Sequence, residues 1–160
     1  MTGYERVRTR IIMDHVDRKI LNIIQHEIPL DAEPFKLLSA QTGIGENDIL
    51  ERIKKFKNKG IVRRIGAVLD TGKLGFKSTL CAAKVPADIL ETFVGIVNSY
   101  DGVTHNYLRD HEYNVWFTFA APTGEAIEKS LSDISRETGI DDIISMPVKR
   151  RFKIDARFKL

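Results

Sequence analysis

The chain has 160 residues, 42% of them hydrophobic and 29% charged, with a formal net charge of +3 and a pI near 9.0. That is enough apolar material for one compact domain or two small ones, and the mildly basic balance is compatible with an anionic ligand or nucleic acid without demanding either. A single cysteine, Cys81, excludes an internal disulfide, and no apolar run approaches membrane-spanning length. With no signal-like stretch in the first ten residues, a cytoplasmic protein is expected.

Residues 1–13 carry no periodicity and read as a mobile lead-in. Asp14 then predicts a helix N-cap, with Asp17 three residues on, where a carboxylate favours the positive end of the helix dipole. Val16, Ile20, Ile23 and Ile24 follow at helical spacing, widened by Leu21, up to Ile28-Pro29-Leu30. Pro34 suits the first turn of a second helix, with Phe35, Leu37 and Leu38 inward and Gly43 as its stop. A third helix is predicted from about Gly45 to Lys59, with Ile49, Leu50, Ile53 and Phe56 inward and Gly60 after it. Ile61–Ile65 reads as a strand. Together these make a helix-turn-helix with a wing.

The third helix would be the recognition helix, whose N-terminal residues meet base edges. Here they are Glu46, Asn47 and Asp48, with Glu51 one turn later. Those carboxylates stabilise the helix start but repel phosphates. Lys54, Lys55, Lys57 and Lys59 lie at the other end. DNA binding is therefore not expected.

Asp70-Thr71-Gly72 and Gly75 mark a connector. Beyond it the pattern predicts a strand over 79–85, a helix from Pro86 to Ser99, strands over 102–109 and 112–121, a helix over 123–138 stopped by Gly139, and a last strand over 143–154 bent at Pro147. The order β-α-β-β-α-β is the ferredoxin-like split unit. The fold class is thus α+β, with residues 1–66 as the helix-turn-helix domain and 67–160 as the βαββαβ domain carrying the site.

Alternation places Val115, Phe117 and Phe119, with Tyr113, on a core face, and Trp116 and Thr118 with Glu112 and Asn114 on the other. It groups Val103, His105, Tyr107 and Arg109 on one face, and a face of imidazole, phenol and guanidinium is one for chemistry. Each residue also has a plainer reading. His15 and His26 suit surface positions, Trp116 core or interface, and Cys81 a buried small hydrophobe. Lys149, Arg150, Arg151, Lys153, Arg157 and Lys159 form either a solvated edge or a positive rim around a polyanionic pocket.

Asp14-x-x-Asp17-Arg18-Lys19-Ile20-Leu21 and Gly60-Ile61-Val62-Arg63-Arg64, followed by the βαββαβ pattern, resemble the Lrp/AsnC regulator family over nearly the whole chain. Val103-Thr104-His105-Asn106-Tyr107-Leu108-Arg109 with Tyr113-Asn114-Val115-Trp116-Phe117-Thr118 resembles one offshoot, the sirohaem decarboxylases. So do Arg63-Arg64-Ile65-Gly66-Ala67 and Pro29 with Pro34-Phe35. The resemblance implies a carboxy-lyase of alternative haem or haem d1 synthesis. Such an enzyme releases two acetate carboxyl groups of sirohaem without an oxidant, giving 12,18-didecarboxysirohaem. It implies no separate cofactor, the iron tetrapyrrole being the substrate, and a heterodimer with a homologous subunit or a homo-oligomer.

Under that resemblance His105, His111 and Tyr107 are the candidate catalytic groups, as proton donors near neutral pH. Either histidine is alternatively an axial ligand to the substrate iron. Arg63, Arg64, Arg109, Arg150 and Arg151, with Lys149 and Lys153 behind them, are candidates for holding substrate carboxylates, because the guanidinium fork binds carboxylate bidentately. Trp116 or Tyr113 would supply a drier setting for a reacting carboxylate. Two other readings compete: an Lrp/AsnC-type DNA-binding regulator sensing a small molecule or haem, and a haem-binding accessory subunit active only through its partner.

Overall fold

A computed structural model describes residues 12–153 and 157–160 of the chain. The expected lead-in lies mostly outside the described residues, as does the far end of the expected last strand at Ile154. The molecule divides into two compact units: residues up to Ala67 together with the C-terminal residues, and Val68–Lys153.

The first unit holds α1 (His15–Ile24), α2 (Pro34–Thr42) and α3 (Glu46–Asn58). Asp14 and Asp17 form a reciprocal capping box: the Asp17 N–H donates to Asp14 Oδ1 at 2.7 Å, and the Asp14 N–H donates to Asp17 Oδ2 at 3.2 Å. Arg52 of α3 then ties this cap down, with Nη1 at 2.8 Å from Asp14 and 2.6 Å from Asp17 and Nε at 2.8 Å from Asp48. Pro34 stands in the first turn of α2, and Gly43 closes that helix at φ 72°, a conformation other residues rarely adopt. Ile20, Leu38, Ile49 and Ile53 form the core. The expected wing is absent. Residues 61–65 form no strand, because no partner strand is available among the described residues to complete a ladder. The last residues return instead to α1, where Gln25 exchanges two hydrogen bonds with the Phe158 peptide and Asn22 two with Leu160.

The second unit is a four-stranded antiparallel sheet of β1 (Lys77–Ala83), β2 (Val103–Leu108), β3 (Val115–Ala121) and β4 (Ile143–Pro147), in the order β2-β3-β1-β4. Helices α4 (Leu90–Asn98) and α5 (Gly124–Thr138) join the crossovers. Cys81, Ala83, Val115, Phe117 and Phe119 pack with Phe93 and Val97 of α4 and Ile127 and Ile134 of α5, all buried. Phe93 meets Phe117 edge-on at 6.4 Å. Burial pushes the Cys81 thiol up to about 12, in keeping with its reading as a small hydrophobe. α4 starts four residues later than expected, and β4 stops at Pro147, where the missing N–H ends the ladder.

A bulge interrupts β2. Val103 pairs with Phe119, but from His105 onward the register slips by one residue, so His105 opposes Thr118, Tyr107 opposes Trp116 and Leu108 opposes Val115. Val103 therefore belongs with the core face, and His105 and Tyr107 lie on the opposite one. The expectation that all four residues share a face fails at this point, because a bulge breaks the two-residue period.

Candidate functional site

The open face of the sheet carries His105 and Tyr107 on β2 and Trp116 and Thr118 on β3. The His105 and Tyr107 rings stack at 6.1 Å and 24°, and the Arg109 guanidinium lies 5.8 Å from the Tyr107 ring centroid. Imidazole, phenol and guanidinium thus form one exposed row, as alternation predicts for these three. Arg109 makes no ion pair among the described residues, which leaves its fork available to an anion. His105 Nδ1 lies 3.1 Å from Thr104 Oγ1 and 3.4 Å from Thr118 Oγ1, and the two hydroxyls are 2.7 Å apart. The bulge creates this arrangement by setting two residues, Thr104 and His105, against one.

Beyond β2 the chain turns through Asp110–Tyr113, closed by the Arg109 N–H donating to the Asn114 carbonyl at 2.7 Å. A cleft of about 510 Å³ opens here, lined by Arg109, Asp110, His111 and Asn114 with Ala87, Leu90 and Leu108. His111 Nδ1 accepts from the Tyr113 N–H at 3.0 Å, and the two rings stack at 6.4 Å. Tyr113 holds its neighbours in turn: its carbonyl accepts from Trp116 Nε1 at 2.7 Å and its hydroxyl donates to Asp142 at 2.8 Å. The bond to the Asp142 carboxylate raises the Tyr113 phenol above its ordinary range. Glu112 pairs with Lys84, which lowers the carboxyl and raises the ammonium.

His105, Tyr107, Trp116 and Arg109 are thus gathered on adjacent strands, and Arg109 shares the turn cleft with His111. Arg150 and Arg151 do not join them by any direct contact. Arg150 lies over the Phe152 ring at 4.8 Å, and Arg151 is 3.5 Å from Asp70. Arg63 and Arg64 are exposed and belong to the first unit; Lys149 and Lys153 are exposed in the second. Sequence reasoning missed Thr104 and Thr118, the hydroxyls against His105, and Asn114, whose side chain brackets the Val85 peptide. A threonine directly before the histidine was the available signal, but only the bulge turns both toward Thr118.

Comparison with known proteins follows the division into units. Residues 17–63 match the family model for the sirohaem decarboxylase NirDL-like HTH domain, and residues 73–153 the AsnC-like ligand binding domain. The chain is 47% identical to the sirohaem decarboxylase alpha subunit of Oleidesulfovibrio alaskensis, over 92% of this chain and 90% of that one. It is 44% identical to the corresponding subunit of Nitratidesulfovibrio vulgaris, over 93% and 84%. The crystal structure of the sirohaem decarboxylase NirDL aligns with a TM-score of 0.65 at 39% identity, covering 90% of this chain and 47% of that one. The chain thus spans about half the length of that protein. A Mycobacterium tuberculosis leucine response regulatory protein aligns with a TM-score of 0.78 at only 15% identity, which establishes the shared fold alone. With relatives at 44–47% identity over more than nine-tenths of its length, the chain belongs to the sirohaem decarboxylase family.

Proposed function

We propose that the chain is one subunit of a carboxy-lyase that converts sirohaem to 12,18-didecarboxysirohaem. The observation that carries this reading is the exposed row of His105, Tyr107 and Arg109, whose guanidinium has no ion-pair partner among the described residues, beside Trp116. A related structure, of NirDL with an iron-uroporphyrin III analogue, supports an iron tetrapyrrole as the ligand class. Each turnover breaks the bond between an acetate methylene and its carboxylate carbon. The electron pair passes into the conjugated macrocycle, carbon dioxide leaves, and one proton is taken up to leave a methyl group. Two such events consume two protons and no oxidant, so the substrate's own ring serves as the electron sink and no separate cofactor is needed.

The chain's residues bind, orient and protonate. Arg109 holds a carboxylate that must not react, since a bidentate guanidinium favours the anion. Arg63, Arg64, Arg150 and Arg151 are assigned the remaining carboxylates of the rim, with Lys149 and Lys153 supporting them. Trp116 supplies an apolar wall, and His105, His111 and Tyr107 are the groups that meet the reacting side of the ring. The relatives' names, an alpha subunit and the about twofold longer NirDL, favour pairing of this chain with a homologous subunit as the working unit. The acidic, exposed start of α3 at Glu46–Asp48 disfavours the regulator alternative.

The test is anaerobic incubation with iron-sirohaem, with and without the homologous subunit, followed by mass and absorption spectra. A tetrapyrrole lighter by two carbon dioxide units is expected. Binding without mass loss would favour an accessory or sensor role, and no binding in either mixture would sink the reading.

A further inference from the structure

Trp116, the chain's only tryptophan, stands on the open face of the sheet, opposite Tyr107 on one side and Ala82 on the other. An indole has a single hydrogen-bond donor and no acceptor. That donor is already spent: Nε1–H points back along β3 to the Tyr113 carbonyl, 2.7 Å away. What Trp116 presents to a ligand is therefore carbon alone, with no N–H for a carboxylate.

The accepting carbonyl lies two residues before β3, outside the ladder, so other bonds must hold it. The Tyr113 hydroxyl donates to Asp142 Oδ1 at 2.8 Å, across the end of β1. Asp142 is itself pinned, because its carbonyl accepts from the Lys84 N–H at 3.1 Å where β1 ends. The Lys84 ammonium pairs with Glu112, so the phenol is the one hydrogen-bond partner of the Asp142 carboxylate among the described residues. Indole, Tyr113, Asp142 and the β1 backbone thus form one chain of hydrogen bonds from the site into the sheet.

The consequence is kinetic. A carboxylate that departs as carbon dioxide gives up its negative charge as the carbon–carbon bond breaks and the electron pair enters the macrocycle. An N–H bonded to it stabilises the anion more than the transition state, and so slows the step. A wall without a donor has no such effect, whereas Arg109 keeps its carboxylate in place as an anion.

We propose, resting on the decarboxylase reading above, that Tyr113 and Asp142 are positioning residues that lock the Trp116 N–H away from the substrate. The acetate set against Trp116 is then the one that reacts.

Two measurements test this. In the chain labelled with nitrogen-15 there is one indole N–H resonance, and its exchange with water reads the lock directly. Exchange about tenfold slower than in a free indole is expected, and exchange at the free rate would overturn the proposal. Tyr113→Phe, which removes only the hydroxyl, and Asp142→Ala should each speed it about tenfold. Asp142→Asn keeps an oxygen for the hydroxyl and should restore most of the protection.

Turnover is then measured with the homologous subunit and iron-sirohaem. Tyr113→Phe and Asp142→Ala are expected to lose about tenfold in kcat with KM unchanged or lower, because the freed N–H binds the carboxylate before it reacts. Asp142→Asn should recover much of that loss. A merely structural role would raise KM or lower the folded fraction instead. A parallel rise in KM, an unchanged kcat, or a fall in kcat with indole exchange unaltered would therefore overturn the proposal. The tetrapyrrole mass is scored separately. An unchanged mass with the wild type, beside an indole N–H that both variants expose, would sink the decarboxylase reading and leave the lock on Trp116 standing.

Discussion

The side-chain amide of Asn114 brackets the peptide group of Val85, accepting from its N–H at 2.9 Å and donating to its carbonyl at 2.8 Å. The Asn114 backbone carbonyl meanwhile closes the turn that carries Arg109 and His111. One residue thus joins the turn of the β2–β3 hairpin to the segment leaving β1, and both line the same cleft. Truncation to alanine leaves the N–H and carbonyl of the buried Val85 without partners, which costs about 2 kcal/mol. Asn114→Ala is expected to lower both the denaturation midpoint and turnover. Asn114→Asp keeps the acceptor but loses the donor, and should fall between alanine and the wild type. An alanine variant as stable and active as the wild type would contradict this role.

Arg109 is expected to act on substrate and not on the fold. It is exposed and makes no ion pair among the described residues, so Arg109→Ala should leave the thermal midpoint unchanged. Sirohaem affinity should fall about 10- to 100-fold, the range of one charge-assisted hydrogen-bond pair. Lysine should restore only part of it, because an ammonium lacks the planar fork. Titration of the tetrapyrrole absorption reads all three proteins.

Gly102 lies where β2 enters the sheet. A Cβ there would sit 2.4 Å from the Ala120 carbonyl oxygen and 2.8 Å from the Phe119 ring, and the Ala120 backbone is already held in place by its N–H donating to the Gly102 carbonyl at 2.8 Å. Gly102→Ala must therefore push β2 off β3 at the bulge. The expected result is a thermal midpoint lower by more than about 5 °C, with amide protection lost first over 103–105. Unchanged exchange in that segment would rule the mechanism out.

Acidification should weaken the first unit through the cap of α1. The Arg52 guanidinium hydrogen-bonded to Asp14 holds that carboxyl below its ordinary range and is itself raised. A carboxyl whose folded value is depressed stabilises the fold above its unfolded value, and that contribution disappears as pH falls through the folded one. Thermal midpoints should therefore drop below about pH 4. In Arg52→Ala the acid dependence should flatten and the midpoint at neutral pH should already be several degrees lower, since Asp17 stays buried without its cation.

Cys81 gives a probe of global opening. Fully buried and pushed up to about 12, it holds almost no thiolate at pH 8 and should resist iodoacetamide in the folded protein. Modification is expected only on unfolding. Rapid labelling under native conditions would show that the core face of the sheet opens locally.

The sequence by itself determined the elements and their order. Asp14 with Asp17, Pro34, and Gly43 mark helix ends through backbone chemistry local to a few residues, and Val115, Phe117 and Phe119 mark a strand's buried side through simple alternation. It also determined that His105, Tyr107 and Arg109 would stand in one row, since they lie two apart within one stretch of strand. Tertiary structure decided what local pattern does not encode. The slip at Thr104 is a property of the paired strands and not of β2 alone, and it places Val103 with the core and His105 outside. The wing expected over 61–65 had strand-forming residues but no partner edge among the described residues, and a strand's hydrogen bonds belong to the pair and not to the segment. The direction of the Trp116 N–H was likewise invisible in the letters, because a backbone carbonyl takes up an indole proton only once the chain has folded around it.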